Sequence, residues 1–236
     1  MQHGAAQPPS LRLWAGELAA LPKLVASPLR RAVRAPEFGE NRPVLVIPGM
    51  LAADVTTALL RKSLKRAGFH AYGWGQVNTG VANEQKLASL AARLDSIAQE
   101  HGQPVTLIGW SLGGLFARVL AQRAPQSAAL VMTLGSPFSG NPHANNAWRL
   151  YERLNDHRVD AHPFPEDIAA KPAVRTIAVW SRRDGIIAPE CAKGLAAEAD
   201  ACVEVDARHL EMTCSRRAVG QIMTALHNEL SSGEQA

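Results

Sequence analysis

The sequence predicts an α/β protein with a mostly parallel central sheet covered by helices on both faces. The chain has 236 residues, a length that favours one domain of medium size. Short apolar runs alternate along it with stretches of helical periodicity, which is the order of elements in a βαβ protein. The runs are apolar at consecutive positions, so both sides of each strand are expected to be buried, as in a covered parallel sheet.

Six apolar runs are the predicted strands, and each has the length of a single strand in a compact sheet. They lie at residues 43–47, 69–74, 105–109, 128–134, 173–180 and 201–205. Helical periodicity fills the intervals at 54–67, at 87–98, in the stretch through Arg123 and at 216–230. Asp54 is a candidate cap for the first of these helices, and Gly68 and Gly102 are expected to end the first two.

Composition excludes several classes of protein. Hydrophobic residues make up 47% of the chain and charged residues 19%, which excludes a disordered chain. The net charge of +4 comes with no long basic block, so no nucleic-acid partner is expected. Cys191, Cys202 and Cys214 form no CxxC pair and have no histidine at zinc-ligand spacing, so no metal is expected. Buried or unreactive thiols are favoured, and a single disulfide is the alternative.

Residues 1–36 are predicted to form an amphipathic helical segment ahead of the main domain at 37–236. Apolar residues recur at helical spacing and basic residues crowd the far end, as Leu11, Trp14, Leu18, Leu21 and Val25, then Lys23, Arg30, Arg31 and Arg34. Residues 11–34 therefore suit peripheral contact with an anionic membrane. The alternative is a helix that packs on the domain and is broken by Pro22 and Pro28.

The amino end and the hydropathy of the chain give an expectation about location. No apolar run reaches the roughly 18 residues that a membrane-spanning helix needs. Met1–Ser10 carries no Lys or Arg, and so lacks the basic start of a secretory signal. A cytoplasmic location is expected, with membrane association through residues 11–34 where that contact forms.

Gly109-Trp110-Ser111-Leu112-Gly113 fits the pattern G-x-S-x-G. The match gains weight from its context, because the pentapeptide follows a predicted strand and opens a predicted helix, as a nucleophile elbow requires. The flanking glycines leave no side chain to collide across the tight turn, so the serine hydroxyl is expected to stand exposed above the sheet. The alternative is a glycine-rich strand-to-helix turn without catalysis.

With this motif the sequence resembles the α/β-hydrolase superfamily, in its lipase- and esterase-like branch, from about Arg42 to Leu230. The family orders its catalytic residues as Ser, then Asp or Glu, then His. Asp184 follows the strand that ends at Trp180, and His209 follows the last strand, so both match the family's loops. The resemblance implies a triad of Ser111, Asp184 and His209. Glu190 and Asp206 are the fallback acids, whereas His143, His157 and His162 are expected on the surface or in a cap.

The resemblance also implies a mechanism. His209 accepts the Ser111 proton, Asp184 orients and stabilises the imidazolium, and an acyl-enzyme forms without a metal or organic cofactor. The family's oxyanion donors map to the backbone N–H of Leu112 and that of Met50. This chain has Pro48-Gly49 where the family often has His-Gly, so Leu51 stays an alternative to Met50.

The stretch 138–171 interrupts the alternation of strands and helices. It begins at Gly135-Ser136-Pro137-Phe138, which looks like a turn of lipase-like members. Trp148, Tyr151 and Leu154 fall on one side of a short predicted helix, so the stretch is expected to form a cap over an acyl chain. A plain surface excursion is the alternative.

These observations together predict a serine hydrolase for small-molecule or lipid esters with an apolar acyl part, of the esterase or lipase kind. A thioesterase or acyltransferase with the same triad is the first alternative. A catalytically silent α/β-hydrolase fold that serves as a binding module is the second.

Overall fold

A computed structural model describes residues 6–233 of the chain. Its centre is a six-stranded sheet in the order β2-β1-β3-β4-β5-β6, in which every pair is parallel. The strands are β1 (Pro43–Ile47), β2 (His70–Gly73), β3 (Val105–Trp110), β4 (Ala128–Leu134), β5 (Arg175–Trp180) and β6 (Ala201–Glu204). The sequence-based prediction of a parallel α/β sheet is confirmed.

Helices cover both faces of the sheet. The α-helices are α1 (Leu11–Glu17), α2 (Leu21–Val25), α3 (Ala58–Arg66), α4 (Glu84–His101), α5 (Leu112–Arg123), α6 (Trp148–Leu154), α7 (Pro189–Lys193) and α8 (Arg216–Gly233). Apolar residues of α3 and α8 form one buried cluster with one sheet face, and those of α4 and α5 form a second cluster with the other. Burial of these two faces supplies the main drive for folding.

The order of the strands creates a switch point between β1 and β3. The chain leaves β1 for the edge strand β2 and then returns to the opposite side of β1 as β3. Ile47 at the end of β1 pairs with Gly109 near the end of β3, so the loops after both strands leave from the same edge. Ligands of open α/β sheets bind at such a switch point.

The start of α3 differs from the prediction. Asp54 does not cap the helix, and a short 3-10 turn (Asp54–Thr57) precedes α3 instead. The Asp54 carboxylate accepts hydrogen bonds from the backbone N–H groups of Trp74 (3.1 Å) and Gly75 (2.8 Å). The side chain is therefore used to hold the end of β2, where two backbone donors would otherwise lack an acceptor.

The amino-terminal segment is helical and packed on the domain. Helices α1 and α2 are joined by a 3-10 turn (Leu18–Ala20), and a second 3-10 turn (Ser27–Leu29) follows them. Pro22 lies in the first turn of α2, and Pro28 lies in the second 3-10 turn, positions that need no proline N–H. No helix within residues 6–233 is both long and apolar enough to cross a bilayer.

The three cysteines are free, so the open question of a disulfide is answered for this structure. Cys191 and Cys214 are buried and Cys202 is exposed. Burial raises the pKa of the Cys191 thiol to about 11 and that of Cys214 to about 12, which keeps both in the unreactive protonated form.

Candidate functional site

Ser111 stands in a strained turn between β3 and α5. Its backbone has φ 55° and ψ −122°, a left-handed conformation that non-glycine residues rarely adopt. The turn needs its glycines, since a Cβ on Gly109 would lie 2.3 Å from the Gly113 carbonyl oxygen and one on Gly113 would lie 2.4 Å from the Ile47 carbonyl oxygen. Strain of this kind persists where the surrounding structure enforces it, and it marks candidate active sites.

Asp184 and His209 form a buried hydrogen-bonded pair. Asp184 follows β5, and His209 begins a 3-10 turn (His209–Glu211) after β6. The His209 Nδ1 lies 2.8 Å from Asp184 Oδ2, and both side chains are almost fully buried. The second oxygen of Asp184 accepts hydrogen bonds from the backbone N–H groups of Ile186 (2.8 Å) and Ile187 (2.7 Å). The carboxylate is thus fixed on both oxygens, and it in turn fixes the imidazole.

The environment of His209 makes its ring a stronger base. Burial lowers the pKa of His209, but the charge and hydrogen bond of Asp184 and the charge of Glu17 raise it, and the net result is a pKa above the ordinary histidine value. A buried imidazole next to a carboxylate favours the protonated form in this way. The pair can therefore accept a proton from a neighbouring group and stabilise the resulting imidazolium.

Ser111 lies at the same edge of the sheet as the Asp184–His209 pair, where the carboxyl ends of the strands are. Its backbone N–H donates to the Leu134 carbonyl oxygen at 2.9 Å, and Gly135, the next residue after Leu134, lies against the pair. A Cβ on Gly135 would lie 3.0 Å from Asp184 Oδ2 and 3.1 Å from His209 Nδ1. Within residues 6–233 no hydrogen bond joins the Ser111 hydroxyl to His209. Such bonds are often long before substrate binds and tighten in the complex.

Trp110 packs beside the pair and is almost fully buried. Its ring lies 5.7 Å from the His209 ring, and its Nε1–H donates to the His209 carbonyl oxygen at 3.2 Å. The residue that precedes Ser111 therefore fixes the backbone that carries His209.

The sequence analysis assigned the role of oxyanion donor to the backbone N–H groups of Met50 and Leu112. Met50 follows β1, Leu112 begins α5, and both residues line the same cavity as Ser111. Neither N–H donates a hydrogen bond within the described part of the chain. Leu51, the alternative donor, has φ 56° and a largely exposed side chain.

Asn78 holds the loop that carries Met50, and the sequence analysis missed it. Its side chain is fully buried, Nδ2 donates to the Pro48 carbonyl oxygen (2.9 Å), and its backbone N–H donates to the Ala52 carbonyl oxygen (2.8 Å). Asn78 therefore fixes both ends of the short loop around Met50. The only sequence signal is an asparagine in a glycine-containing loop.

Glu17 is a second residue that the sequence analysis missed. Its carboxylate is buried and accepts backbone hydrogen bonds from Gly185 (2.8 Å), His209 (2.8 Å) and Leu210 (2.9 Å). It thus ties the loop of Asp184 to the loop of His209. The sequence feature that could have indicated this role is that Glu17 is the one acidic residue among the first 36.

The fallback acids lie apart from this arrangement. Asp206 forms ion pairs with Arg183 (2.7 Å) and Arg217 (2.5 Å), and Glu190 is an exposed residue in the first turn of α7. No contact joins either carboxylate to His209 among the described residues. Asp184 is the acid that the fold brings to the ring.

The histidines of the 138–171 stretch have other partners. His143 packs edge-on against Trp148, and His157 Nε2 lies 2.7 Å from the Tyr151 hydroxyl. His162 lines the cavity, and its Nδ1 is buried without a hydrogen-bond partner among the described residues.

A cavity of about 300 Å³ opens beside Ser111. The 138–171 stretch supplies much of its lining, including Phe138, Trp148, Tyr151, Phe164 and Ile168, and α5 contributes Leu112 and Leu115. A lining of this kind suits an apolar group with few polar contacts. Among residues 6–233 no three metal-binding side chains are grouped as a metal site.

Arg118 fastens the end of the 138–171 stretch to α5. The side chain is fully buried and donates to the carbonyl oxygens of Ile168, Ala169, Ala170 and Glu198. Burial lowers the pKa of Arg118 to about 10, while the charges of Glu198 and Asp167 act in the opposite direction. The guanidinium therefore stays charged near neutral pH, and one side chain serves a buried carbonyl group and three part-buried ones.

Comparison with known proteins adds a family match. A family model described as the α/β hydrolase fold matches residues 43–160, half of the chain. No curated protein matches the sequence significantly.

Several solved structures share the fold at low sequence identity. One comes from work on LipS and LipT, two metagenome-derived lipolytic enzymes, with a TM-score of 0.62, 13% identity, and coverage of 84% of this chain and 100% of that one. Another is the Bacillus licheniformis lipase BlEst2, with a TM-score of 0.56, 16% identity, and coverage of 83% and 96%. A third is a thioesterase domain from the curacin biosynthetic pathway, with a TM-score of 0.55, 15% identity, and coverage of 79% and 93%.

Proposed function

The chain belongs to the α/β-hydrolase fold family, and on this premise we propose that it is a serine hydrolase that cleaves carboxylic esters with an apolar acyl part. The observation that carries the proposal is the buried Asp184–His209 hydrogen bond of 2.8 Å at the sheet edge that also holds the strained Ser111 turn. The same fold serves many reactions, whereas these side chains offer a nucleophile, a base and an acid in one place.

The first half of the reaction forms the acyl-enzyme. His209 removes the proton from the Ser111 hydroxyl as its oxygen attacks the ester carbonyl carbon. The negative oxygen of the tetrahedral intermediate accepts hydrogen bonds from the backbone N–H groups of Met50 and Leu112, each donor worth about 3–4 kcal/mol of barrier. The imidazolium then gives its proton to the leaving alkoxide, and the acyl group stays on Ser111.

The second half releases the acid. His209 takes a proton from a water molecule, and the resulting hydroxide attacks the acyl carbon through the same oxyanion contacts. Collapse of this intermediate breaks the acyl–oxygen bond, and the Ser111 oxygen recovers its proton from His209. The proton stays on the imidazole and is not passed on to Asp184, which stabilises the imidazolium that forms twice in each cycle.

The cavity supports the choice of an apolar acyl part. Its walls are mainly aromatic and aliphatic, and Ser111 is one of the residues that line it. The expected result is that kcat/KM for p-nitrophenyl esters rises with acyl length until the chain fills about 300 Å³ and then falls. A profile independent of chain length would contradict the assignment of this cavity to the acyl group.

Substitution of the serine tests the reaction itself. Ser111→Ala is expected to lower kcat by at least about 10⁴-fold while the thermal midpoint is retained, because the nucleophile is removed and the turn is kept. Ser139→Ala, which changes a second serine that lines the same cavity, is the matched control and is expected to keep most of the rate. Full activity in Ser111→Ala would overturn the proposal.

Thioester cleavage or acyl transfer is the alternative reaction, since the same attack and oxyanion contacts serve both. A thioesterase domain is among the structures with this fold. Paired oxygen esters and thioesters of one acyl chain, measured with and without added alcohol acceptors, distinguish the three reactions by product. No turnover of any of them would favour the silent binding module.

A further inference from the structure

The amino-terminal segment presents an apolar outer face. Seven of the twelve large hydrophobic residues that are exposed in the described structure lie within residues 11–29, namely Leu11, Leu13, Trp14, Leu18, Leu21, Val25 and Leu29. Val25 is 80% exposed and Leu29 is 88% exposed. A concentration of this kind marks an interaction surface, since scattered single residues are the norm on soluble proteins.

The inner side of the same segment is firmly attached. Besides the three hydrogen bonds that Glu17 accepts, the Ser27 hydroxyl accepts the Leu59 backbone N–H at 3.1 Å, and Lys62 Nζ donates to the Pro28 carbonyl oxygen at 2.5 Å. The apolar face is therefore held in place on the domain and points away from it.

The net positive charge of the chain arises in its amino-terminal 36 residues. Residues 1–36 contain five basic residues and one acidic residue, whereas residues 37–236 contain 20 of each. The single acidic residue is Glu17, which is buried and occupied by backbone donors. The net charge of +4 thus belongs to the segment that carries the exposed apolar face.

Arginines form a cluster where the apolar face ends. Directly after Leu29, a surface concavity is lined by Arg30, Arg31, Ala32, Arg34, Arg66 and Arg216. Arg216 donates to the carbonyl oxygens of Arg31 and Ala32, and Arg30 Nε is buried with no hydrogen-bond acceptor in the described part of the chain. No carboxylate of residues 6–233 lines the concavity or forms an ion pair with these arginines. A cluster of this composition is suited to phosphate groups.

We propose that residues 11–34 are a docking surface for an anionic lipid membrane, in which the apolar face enters the boundary of the acyl chains and the arginine cluster binds the phosphate headgroups. The combination of exposed leucines and a tryptophan with adjacent arginines is what interfacial helices use. A second copy of the chain fits less well, because residues 11–34 of that copy would offer the arginines no accessible carboxylate: their one acidic residue, Glu17, is buried. The docking surface would place the proposed hydrolase at a membrane. The observations that support the surface do not depend on which reaction the protein catalyses.

Vesicle sedimentation tests the docking surface. The full chain carrying Ser111→Ala is mixed with vesicles of phosphatidylcholine, or of phosphatidylcholine with phosphatidylserine, so that no lipid is hydrolysed. Binding is expected to be at least about ten-fold tighter to the anionic vesicles and to weaken as salt is added. Trp14 emission is expected to shift to shorter wavelength on binding, and Trp14→Phe should remove that shift.

Two double variants separate the two parts of the surface. Val25→Ser with Leu29→Ser is expected to weaken binding about ten-fold or more, and Arg31→Gln with Arg34→Gln about 25-fold, from a factor of about five per arginine. The matched controls are Val77→Ser with Leu195→Ser, also exposed apolar residues, and Arg149→Gln with Arg153→Gln, exposed arginines of α6. Both controls are expected to bind like the parent protein.

Several results would contradict the docking surface. No binding to either vesicle, equal binding to both, or binding that neither double variant weakens would overturn the docking surface. A dimer in solution that the Val25→Ser and Leu29→Ser changes dissociate would assign the face to a second copy of the chain instead. Since the readout is binding by an inactive variant, failure here leaves the ester-hydrolase proposal standing, and failure of that proposal leaves this one standing.

Discussion

At the scale of single residues, the proton-accepting power of His209 depends on two buried carboxylates with different geometry. Asp184 acts on the ring through a hydrogen bond to Nδ1, whereas Glu17 acts on the backbone of the same residue and contributes its charge from there. Both charges raise the pKa of His209 against the effect of burial. Glu17 is therefore a positioning residue in this account, and its electrostatic contribution can be measured.

Glu17→Gln removes the charge and retains an oxygen acceptor. Loss of a negative charge lowers the pKa of His209, so the acid limb of the pH profile of kcat/KM is expected to move to lower pH. The maximal rate is expected to fall about ten-fold, because the amide NH₂ cannot accept the Leu210 N–H and the loop loosens.

Glu190→Gln is the control for this change, since Glu190 is an exposed carboxylate in the first turn of α7. It is expected to leave the acid limb in place, and the same experiment tests Glu190 as the fallback acid. A fall in rate for Glu17→Gln with an unmoved acid limb would reduce Glu17 to a purely structural role.

At the scale of elements, α5 connects the candidate nucleophile to the wall of the cavity. The helix begins directly after Ser111, and Arg118 in its middle holds the carbonyl groups of Ile168–Ala170. Any shift of α5 therefore moves both the turn and the far end of the 138–171 stretch.

Arg118→Met tests this connection, because methionine keeps an unbranched apolar stem and removes every donor. The unfolding free energy is expected to fall by about 3 kcal/mol, since the buried carbonyl group of Ile168 and three part-buried ones lose a charged partner. Arg123→Met on the same helix is the matched control, and its ion pairs with Glu84 and Glu166 lie at the surface, so about 1 kcal/mol or less is expected. Urea unfolding of both variants makes the comparison, and equal losses would contradict the anchoring role of Arg118.

The elements were largely predictable from sequence, because their signals are local. Strands β1 and β4 agree with the prediction at both ends, and Gly102 ends α4 in a left-handed conformation, as expected of a glycine after a helix. The motif around Ser111 was likewise readable, since the pattern G-x-S-x-G is local. The clash that requires glycine at 109 comes from the same turn, whereas the one that requires glycine at 113 comes from the distant Ile47 carbonyl oxygen.

The roles of Glu17, Asn78 and Arg118 were not predictable in the same way. Glu17 bonds to a residue 192 positions away, and Arg118 to residues 50 to 80 positions away, so neither leaves a periodic pattern. Asp54 shows the converse, because a residue with the local pattern of a cap is used by a distant strand end instead. Tertiary contacts decide such side chains, and local propensity does not.

At the scale of the whole molecule, the parallel sheet concentrates the candidate chemistry at one edge. Met50 follows β1, Ser111 follows β3, Asp184 follows β5 and His209 follows β6, and the strand registers bring these four ends together. Each loop supplies one group, so the site forms only when the sheet is complete. The amino-terminal segment reaches the same region through Glu17 while its outer face carries the exposed leucines.

The most direct test of the central claim is titration of the folded protein with a fluorophosphonate, followed by mass spectrometry of the intact chain and its peptides. We expect one label per chain, located on Ser111, absent in Ser111→Ala and formed at least about 10³-fold more slowly in His209→Ala. The measurement is made with and without phosphatidylserine vesicles. A folded protein that takes no label under either condition, or that is labelled on another serine, would contradict the account.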